Sequence, residues 1–381
     1  MKIIAAPDKF KGSMSATEAA KQIEKGIKSV LPWAEVHRFP LSDGGEGLVE
    51  SLTGKPGSSL QTITVTGPLG RPVEAVFGLI DDGRTGVIEM AAASGLSLVP
   101  EGKRDPSITT TRGTGELIRA ALDRGCRKLI VGIGGSATSD GGAGVAEALG
   151  AQFLDRKGRL LGRGGAELER LEKIDISGLD PRLDEVEVLV ACDVDNPLTG
   201  PKGAAYVYAP QKGADPGMVE KLDRALVNYA RVIKKDFGME VDHIPGAGAA
   251  GGLGAGLIAF LRARLSSGIE LVLEALEIEQ YLAGCSLLIT GEGKLDTQSA
   301  YGKAPVGIAR KARQCKIPVL ALAGDLEGEL GVFHREGITA CFAIADGPLS
   351  IQDSIERGPE LLEAKTAELI RIWITARSAE Q

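Results

Sequence analysis

The chain of 381 residues is poor in aromatic side chains and has no excess of basic charge. Aromatic residues make up 4%, and 51 Asp and Glu outnumber 44 Lys and Arg, which gives a formal net charge of −7. Proteins that bind nucleic acid use cationic side chains on the phosphates and aromatic rings on the bases. The composition therefore argues against a nucleic acid as partner.

Cysteine and histidine are also scarce. Five cysteines lie far apart without C-x-x-C spacing, and only three histidines accompany them. A disulfide framework normally shows an even number of closely spaced cysteines, and a zinc site needs clustered ligands. We therefore expect neither.

Long apolar runs, a secretion signal and a P-loop are missing as well. The uncharged stretch at residues 245–261 contains six glycines and is shorter than the ~20 residues of a membrane-spanning helix. The first eight residues predict a β-strand rather than a signal peptide, and no G-x-x-x-x-G-K-[ST] segment occurs. We expect a cytoplasmic protein without a membrane segment.

Glycine, at 52 residues, is abundant, and short apolar strands alternate with amphipathic helices at both chain ends. A capping box at Ser15 and Glu18 predicts the start of the first helix. The predicted strands and helices are strands 3–6, 35–41, 286–290, 319–323 and 339–345, and helices from 15 to about 30, 304–314 and 361–376. This alternation predicts a parallel sheet covered by helices on both faces.

The middle of the chain shows a different pattern. Three alternating runs separated by Gly and Pro turns predict an antiparallel meander, followed by helices and further strands. The predicted elements are strands 62–66, 73–79, 87–90, 128–132 and 186–191, and helices 115–124 and 218–237. We predict an α/β protein with a discontinuous Rossmann-like parallel-sheet domain (residues 1–57 and 285–381). We also predict an inserted mixed α/β domain (residues 58–284), and we expect the active site in the cleft between the two domains.

Two polar segments combine charge with a strand end. Residues 7–13 (PDKFKGS) place Lys9 and Lys11 before a capped helix, where an anion binds well; a solvated lysine pair is the alternative. Residues 42–47 (SDGGEG) hold Asp43 and Glu46 among glycines. Such carboxylates bind a divalent cation, accept a proton or bond sugar hydroxyls, or merely cap a turn and a helix.

Three further polar segments follow strands. Residues 132–144 (GIGGSATSDGGAG) predict an anion nest of backbone N–H groups, and they repeat the S-D-G-G-x-G of residues 42–47. Residues 192–200 (CDVDNPLTG) offer Asp193, Asp195 and Asn196 as oxygen ligands for Mg²⁺, or an Asx turn before a proline. Residues 290–296 (TGEGKLD) supply Glu292, Asp296 and a lysine in a flexible loop.

One glycine-rich segment resembles the motif of another reaction, although we favour a tight approach of a buried helix to the sheet as the reason for its glycines. Residues 246–251 (GAGAAG) match the dinucleotide-binding pattern G-x-G-x-x-G, although no clear strand precedes them. An NAD(P)-dependent reductase of small hydroxy acids is therefore one alternative function. A non-catalytic protein that binds sugar acids is another.

Taken in order along the whole chain, the five polar segments resemble those of the bacterial ATP-dependent glycerate kinase family. The resemblance implies a two-domain α/β enzyme without a Walker loop that phosphorylates D-glycerate with ATP and Mg²⁺. It favours 2-phosphoglycerate over 3-phosphoglycerate as the product, in glycolate, glyoxylate or sugar-acid breakdown. A homodimer stays one open alternative for its assembly.

The reaction requires a cation held by carboxylates, donors for the phosphates, a proton acceptor and a cation for the glycerate carboxylate. We assign catalysis to Asp193, Asp296, Lys9, Lys11 and Asp43, with Asp193 and Asp296 also as Mg²⁺ ligands. Binding of substrate or phosphate is assigned to Asp8, Ser13, Glu46, Gly134, Gly135, Ser136, Asn196 and Glu292.

Overall fold

A computed structural model describes residues 1–296, 299 and 303–379. The strands are β1 (Lys2–Pro7), β2 (Glu35–Arg38), β3 (Ser59–Thr66), β4 (Pro72–Ile80), β5 (Thr85–Glu89), β6 (Lys128–Gly132), β7 (Gln152–Leu154), β8 (Lys173–Asp175), β9 (Glu187–Ala191), β10 (Arg264–Ser266), β11 (Cys285–Leu295), β12 (Val319–Leu326) and β13 (Ala340–Ala343). The helices are α1 (Ala16–Val30), α2 (Leu48–Leu52), α3 (Ala91–Ser94), α4 (Arg112–Asp123), α5 (Ala143–Ala148), α6 (Ala204–Tyr208), α7 (Pro216–Phe237), α8 (Ala249–Leu261), α9 (Gly268–Ala275), α10 (Glu279–Leu282), α11 (Ala304–Gln314), α12 (Gly331–Arg335), α13 (Ile351–Glu356) and α14 (Gly358–Ala379).

The chain divides into two compact units. The first unit comprises Met1–Asp43 and Ile269–Gln381, and the second unit comprises Gly44–Gly268. α2 belongs to the second unit because it packs on β4 and β5. The domain boundaries predicted from the sequence, at 57/58 and 284/285, lie further along the chain than these divisions and stay a prediction.

The first unit is built on a parallel sheet with the strand order β13-β12-β11-β1-β2. β1 lies in its interior, and residues 3–6 are completely buried because helices cover the sheet. α1 begins where the capping box predicts, since Ser15 Oγ accepts a hydrogen bond from the backbone N–H of Glu18. The predicted parallel α/β architecture of the chain ends is therefore confirmed.

The second unit contains a mixed sheet with the order β10-β9-β6-β5-β4-β3. β3, β4 and β5 form the predicted antiparallel meander, and β5, β6, β9 and β10 run parallel. β10 and the β7–β8 pair were not predicted from the sequence, because three-residue strands show too little alternation to be recognised. The mixed α/β architecture predicted for the insertion is confirmed.

The prediction for residues 290–296 was wrong in one respect: most of this segment is strand rather than loop. β11 continues to Leu295 and pairs with β12 as far as Leu326. Glycine at position 291 allows β11 to pair closely with β12, because a Cβ there would lie 2.0 Å from the carbonyl oxygen of Leu322. Glu292 consequently projects from a rigid strand.

No helix in the part of the chain that the structure describes has both the length and the apolar character needed to cross a membrane.

Candidate active site

Two buried carboxyl groups lie side by side where β1 and β11 pair in the first unit. Pro7 is in register with Gly291, and the backbone N–H of Asp8 donates to the Gly291 carbonyl at 2.8 Å. Asp8 therefore lies beside the strand segment that carries Glu292. The two residues are only 6% and 8% exposed, so both acids are largely withdrawn from water.

The environment of Asp8 keeps a proton on it up to neutral pH. Burial, then the charge of Asp43, raises the pKa of Asp8 to about 7, and Glu292 adds to this effect. The backbone N–H of Lys9 donates to Asp8 Oδ1 at 2.6 Å, and this bond and the Lys9 charge act in the opposite direction. Repulsion between like charges and desolvation thus outweigh the favourable contacts.

Glu292 has a related environment. Burial raises its pKa, a hydrogen bond from Ser299 and the charge of Lys303 lower it, and Asp296 and Asp43 raise it again. Its Oε1 is buried and has no hydrogen-bond partner among the described residues. Asp8, Asp43, Glu292 and Asp296 together are called the carboxylate cluster below.

Lys303 provides positive charge at the edge of the carboxylate cluster. Its Nζ lies 3.8 Å from Asp296 Oδ1 and 4.0 Å from Glu292 Oε2, and it donates to Ser299 Oγ at 3.3 Å. Asp296 Oδ1 also accepts from the Ser299 backbone N–H at 3.0 Å. Lys303 was not predicted from the sequence, where its position just before α11 is a weak signal.

The loop after β1 holds the two predicted lysines next to β11. The Lys9 carbonyl accepts from the Gly293 N–H at 3.3 Å, and Lys11 is exposed. Ser13 Oγ donates to the carbonyl of Ile355 at 2.6 Å. The Ser13 hydroxyl thus donates its proton to a backbone carbonyl, and the contact of Ser13 with an anion stays a prediction.

In the second unit, the predicted anion nest lies between β6 and α5. Gly134 is close to Gly45 of the same unit, because a Cβ at Gly134 would lie 3.1 Å from Gly45 Cα. Gly135 has a positive φ of 75°, which glycine adopts without strain. The loop therefore presents bare backbone at Gly134 and Gly135, followed by the side chain of Ser136.

A lysine that the sequence analysis missed lies beneath this loop. Lys212 is 1% exposed, and its Nζ donates to Ser136 Oγ at 2.6 Å and to the Thr138 carbonyl at 2.6 Å. Burial lowers the pKa of Lys212 to about 7, and the charge of Asp140 opposes this effect. No local sequence signal marks Lys212, because it is distant from the loop in sequence and belongs to none of the five polar segments.

Asp140 is held by backbone and hydroxyl groups. Its carboxylate accepts from the Thr111 N–H at 2.8 Å and Thr111 Oγ1 at 3.0 Å, and from the N–H groups of Gly142 at 3.2 Å and Gly144 at 3.4 Å. Burial raises its pKa, and these hydrogen bonds lower it. Asp140 thereby holds the backbone at the start of α5 in place.

Other predicted residues of the second unit make local contacts. Asp193 Oδ1 accepts from the Gly268 N–H at 2.9 Å, at the start of α9. The Asn196 amide donates to the Lys202 carbonyl at 2.8 Å and accepts from the Tyr208 hydroxyl at 2.5 Å. Glu46 is exposed. These contacts do not test the assigned roles, which stay predictions.

The metal assignment also stays a prediction. Asp296 belongs to the first unit and Asp193 to the second. Within residues 1–296, 299 and 303–379, no three His, Cys, Asp or Glu side chains are grouped so that they could hold a metal ion by themselves.

The glycine-rich segment at residues 246–251 is packed against other loops. A Cβ at Gly248 would lie 2.1 Å from the Pro197 carbonyl oxygen, and one at Gly251 would lie 2.0 Å from that of Thr138. The glycines are therefore explained by close approach of backbone to backbone. Nothing in this packing favours the reductase alternative.

Comparison with known proteins decides the family. A model of the glycerate kinase family matches residues 3–374. The chain belongs to the glycerate kinase family. It is 51% identical to the glycerate kinase of Bacillus subtilis (strain 168), with 97% of each chain covered. It is 52% identical to the glycerate 2-kinase of Escherichia coli (strain K12), with 90% of each chain covered.

A solved structure agrees with this family membership. The crystal structure of a Salmonella typhimurium LT2 protein assigned as glycerate kinase 2 superimposes with a TM-score of 0.91 and 46% identity over 99% of each chain. The resemblance found in the five polar segments is therefore confirmed. This member of the glycerate kinase family is an enzyme, a kinase, and membership implies ATP as its co-substrate.

Proposed function

We propose that this kinase transfers the γ-phosphoryl group of ATP to the 2-hydroxyl of D-glycerate, which gives 2-phosphoglycerate and ADP. The observation that supports this reaction best is the pair of buried carboxyl groups, Asp8 and Glu292, at paired strands of the first unit. A kinase of a small hydroxy acid needs such a group to accept the hydroxyl proton, because phosphoryl transfer otherwise requires mainly positioning and charge neutralisation.

Asp8 is our candidate for the proton acceptor. A general base works best when its pKa lies near the working pH. Burial and Asp43 raise the pKa of Asp8 to about 7, whereas an ordinary aspartate would be a much weaker base. As the hydroxyl oxygen of D-glycerate bonds to the γ-phosphorus, its proton passes to Asp8, and the bond to the ADP oxygen breaks.

The carboxylate cluster also fits Mg²⁺. Its donors are oxygen atoms, and Glu292 Oε1 is buried without a hydrogen-bond partner among the described residues. Mg²⁺ bound with a nucleotide takes one or two protein carboxylates and completes its shell with phosphates and water. We propose that Asp296 and Glu292 hold it, with Asp193 kept as the other predicted ligand. When bound, the ion neutralises charge on the phosphates.

The remaining assigned residues would bind the anionic parts of the substrates. Lys9 is a cation beside Asp8, and Lys303 contacts Asp296 at the edge of the cluster. Lys11 is exposed in the same loop as Lys9. Gly134, Gly135 and Ser136 offer an anion-binding loop. We place the reaction in the cytoplasm, where ATP is available, and in the breakdown of glycolate, glyoxylate or sugar acids.

Phosphorus NMR of the product tests the proposal directly. Purified enzyme is incubated with Mg·ATP and D-glycerate, and ADP and product are recorded together. Phosphate on the 2-hydroxyl couples to one proton and gives a doublet, whereas phosphate on the 3-hydroxyl couples to two protons and gives a triplet.

We expect the doublet. A triplet would refute transfer to the 2-hydroxyl, and no glycerate-dependent ADP would refute the proposed substrate. Oxidation of NADH with hydroxypyruvate, without ADP formation, would instead support the reductase.

A further inference from the structure

Lys212 is buried in the second unit although lysine is among the residues least often buried. A desolvated ammonium group costs several kcal/mol unless hydrogen bonds and opposite charge compensate it. Only 1% of its surface is exposed, and the nearby charge compensating it is that of Asp140. The hydrogen bonds that its N–H groups donate therefore have to account for the burial of Lys212.

The contacts of Lys212 determine the direction of a hydrogen bond. In its ammonium form Lys212 has donors and no acceptor, so Ser136 Oγ accepts in the 2.6 Å contact with Nζ. The hydroxyl proton of Ser136 then remains to be donated elsewhere. It has no acceptor among the described residues, because its side-chain contact within them is the one with Lys212.

The loop around Ser136 is held in place by other elements as well. The Ala137 N–H donates to the Ser94 carbonyl at 3.0 Å, and Thr109 Oγ1 donates to the Ala137 carbonyl at 2.8 Å. The Leu96 N–H donates to the Gly135 carbonyl at 2.8 Å. These hydrogen bonds hold the backbone of the loop without Lys212. The direction of the hydrogen bonding at the Ser136 hydroxyl, in contrast, depends on Lys212.

We propose that Lys212 is a positioning residue that makes the Ser136 hydroxyl a hydrogen-bond donor toward an anionic oxygen of a bound substrate. This inference rests on the proposed function, which supplies two sources of such an oxygen: a phosphate of ATP and the carboxylate of D-glycerate. Ser136 is 8% exposed and Lys212 is 1% exposed, so the ligand contacts the serine rather than the lysine.

A double-mutant cycle tests this coupling through Ser136→Ala, Lys212→Met and the double variant. A hydrogen bond to a charged group contributes about 1.5–3 kcal/mol, so Ser136→Ala should raise the KM of one substrate by about 10-fold to 100-fold. Lys212→Met should raise the same KM, and the double variant should be no worse than Ser136→Ala. The substrate whose KM rises, ATP or D-glycerate, identifies the source of the oxygen.

Ser177→Ala, at an exposed serine of the second unit, is the matched control and should retain both KM values. Ser136→Ala keeps Lys212 and its charge, so it tests the donor even where Lys212→Met fails to fold. Unchanged KM values for Ser136→Ala in an active enzyme, or additive effects in the cycle, would overturn the inference. An inactive wild-type enzyme would instead refute the proposed function.

Discussion

The two S-D-G-G-x-G segments have nearly the same sequence and different environments. At residues 139–144, the carboxylate of Asp140 accepts four hydrogen bonds from Thr111, Gly142 and Gly144. At residues 42–47, Asp43 instead lies near two other acids, and its charge raises the pKa of both Asp8 and Glu292. The same motif thus provides a structural anchor in one place and part of an acidic cluster in the other.

The helix that follows each segment explains the difference. Asp140 accepts from Gly142 and Gly144 at the start of α5. At the start of α2, the N–H groups of Gly47 and Val49 donate to Glu89 at 3.1 Å and 2.8 Å. A residue from β5 therefore performs for α2 the function that Asp140 performs for α5.

The largest expected effect is on catalysis at the carboxylate cluster. Asp8→Asn removes the proposed proton acceptor and should lower kcat by about 10²-fold to 10⁴-fold, because general-base catalysis contributes about that much. Steady-state kinetics with D-glycerate and Mg·ATP measure the loss. Asp184→Asn, at an exposed position, should retain full kcat, and a kcat for Asp8→Asn within threefold of wild type would contradict the assignment.

The second prediction concerns stability against pH. The folded-state pKa of Asp8, about 7, lies above its ordinary value of 3.8, so this group's contribution is fully present below pH 4 and lost as pH rises through 7. A shift of this size corresponds to about 4 kcal/mol. Denaturant unfolding between pH 4.5 and 7.5 should show a smaller loss for Asp8→Asn than for wild type. Parallel curves for the two proteins would exclude a raised pKa.

The third prediction separates the two motif aspartates. Asp140→Asn places an amide NH₂ among N–H donors and removes the charge near Lys212, so the free energy of unfolding should fall by about 3 kcal/mol. Asp43→Asn removes repulsion from the carboxylate cluster and should leave stability unchanged or raise it. Chemical denaturation at pH 7 compares them. Equal losses in both variants would mean that the two aspartates have the same structural role.

The smallest expected effect is at the start of α2. Glu89→Gln keeps an oxygen acceptor for Gly47 and Val49 but removes the negative charge from the helix N-terminus. The cost should be about 1 kcal/mol of unfolding free energy, without a change in kcat. A loss as large as that of Asp140→Asn would contradict this, because it would mean that the charge of Glu89, and not only its oxygen acceptor, holds the start of α2.

Much of the architecture could be predicted from local sequence patterns. β6 and α11 begin and end at the predicted residues, because apolar periodicity, glycine and proline act within a few residues. Short elements such as β10 could not be predicted from these local patterns. β11 was predicted too short, because its glycines suggested a loop whereas they allow close pairing with β12.

The sequence by itself determined the alternation of strands and helices, the five polar segments and, through them, the family. Tertiary structure decided which acids meet and which charges are buried. The pKa of Asp8 is raised by burial and by the charges of Asp43 and Glu292, and Ser136 Oγ accepts a hydrogen bond from Lys212. The residues that act on Asp8 and Ser136 belong to segments distant from them in the chain. Desolvation and Coulomb energy depend on distance in space, and hydropathy patterns and motifs record only neighbours along the chain.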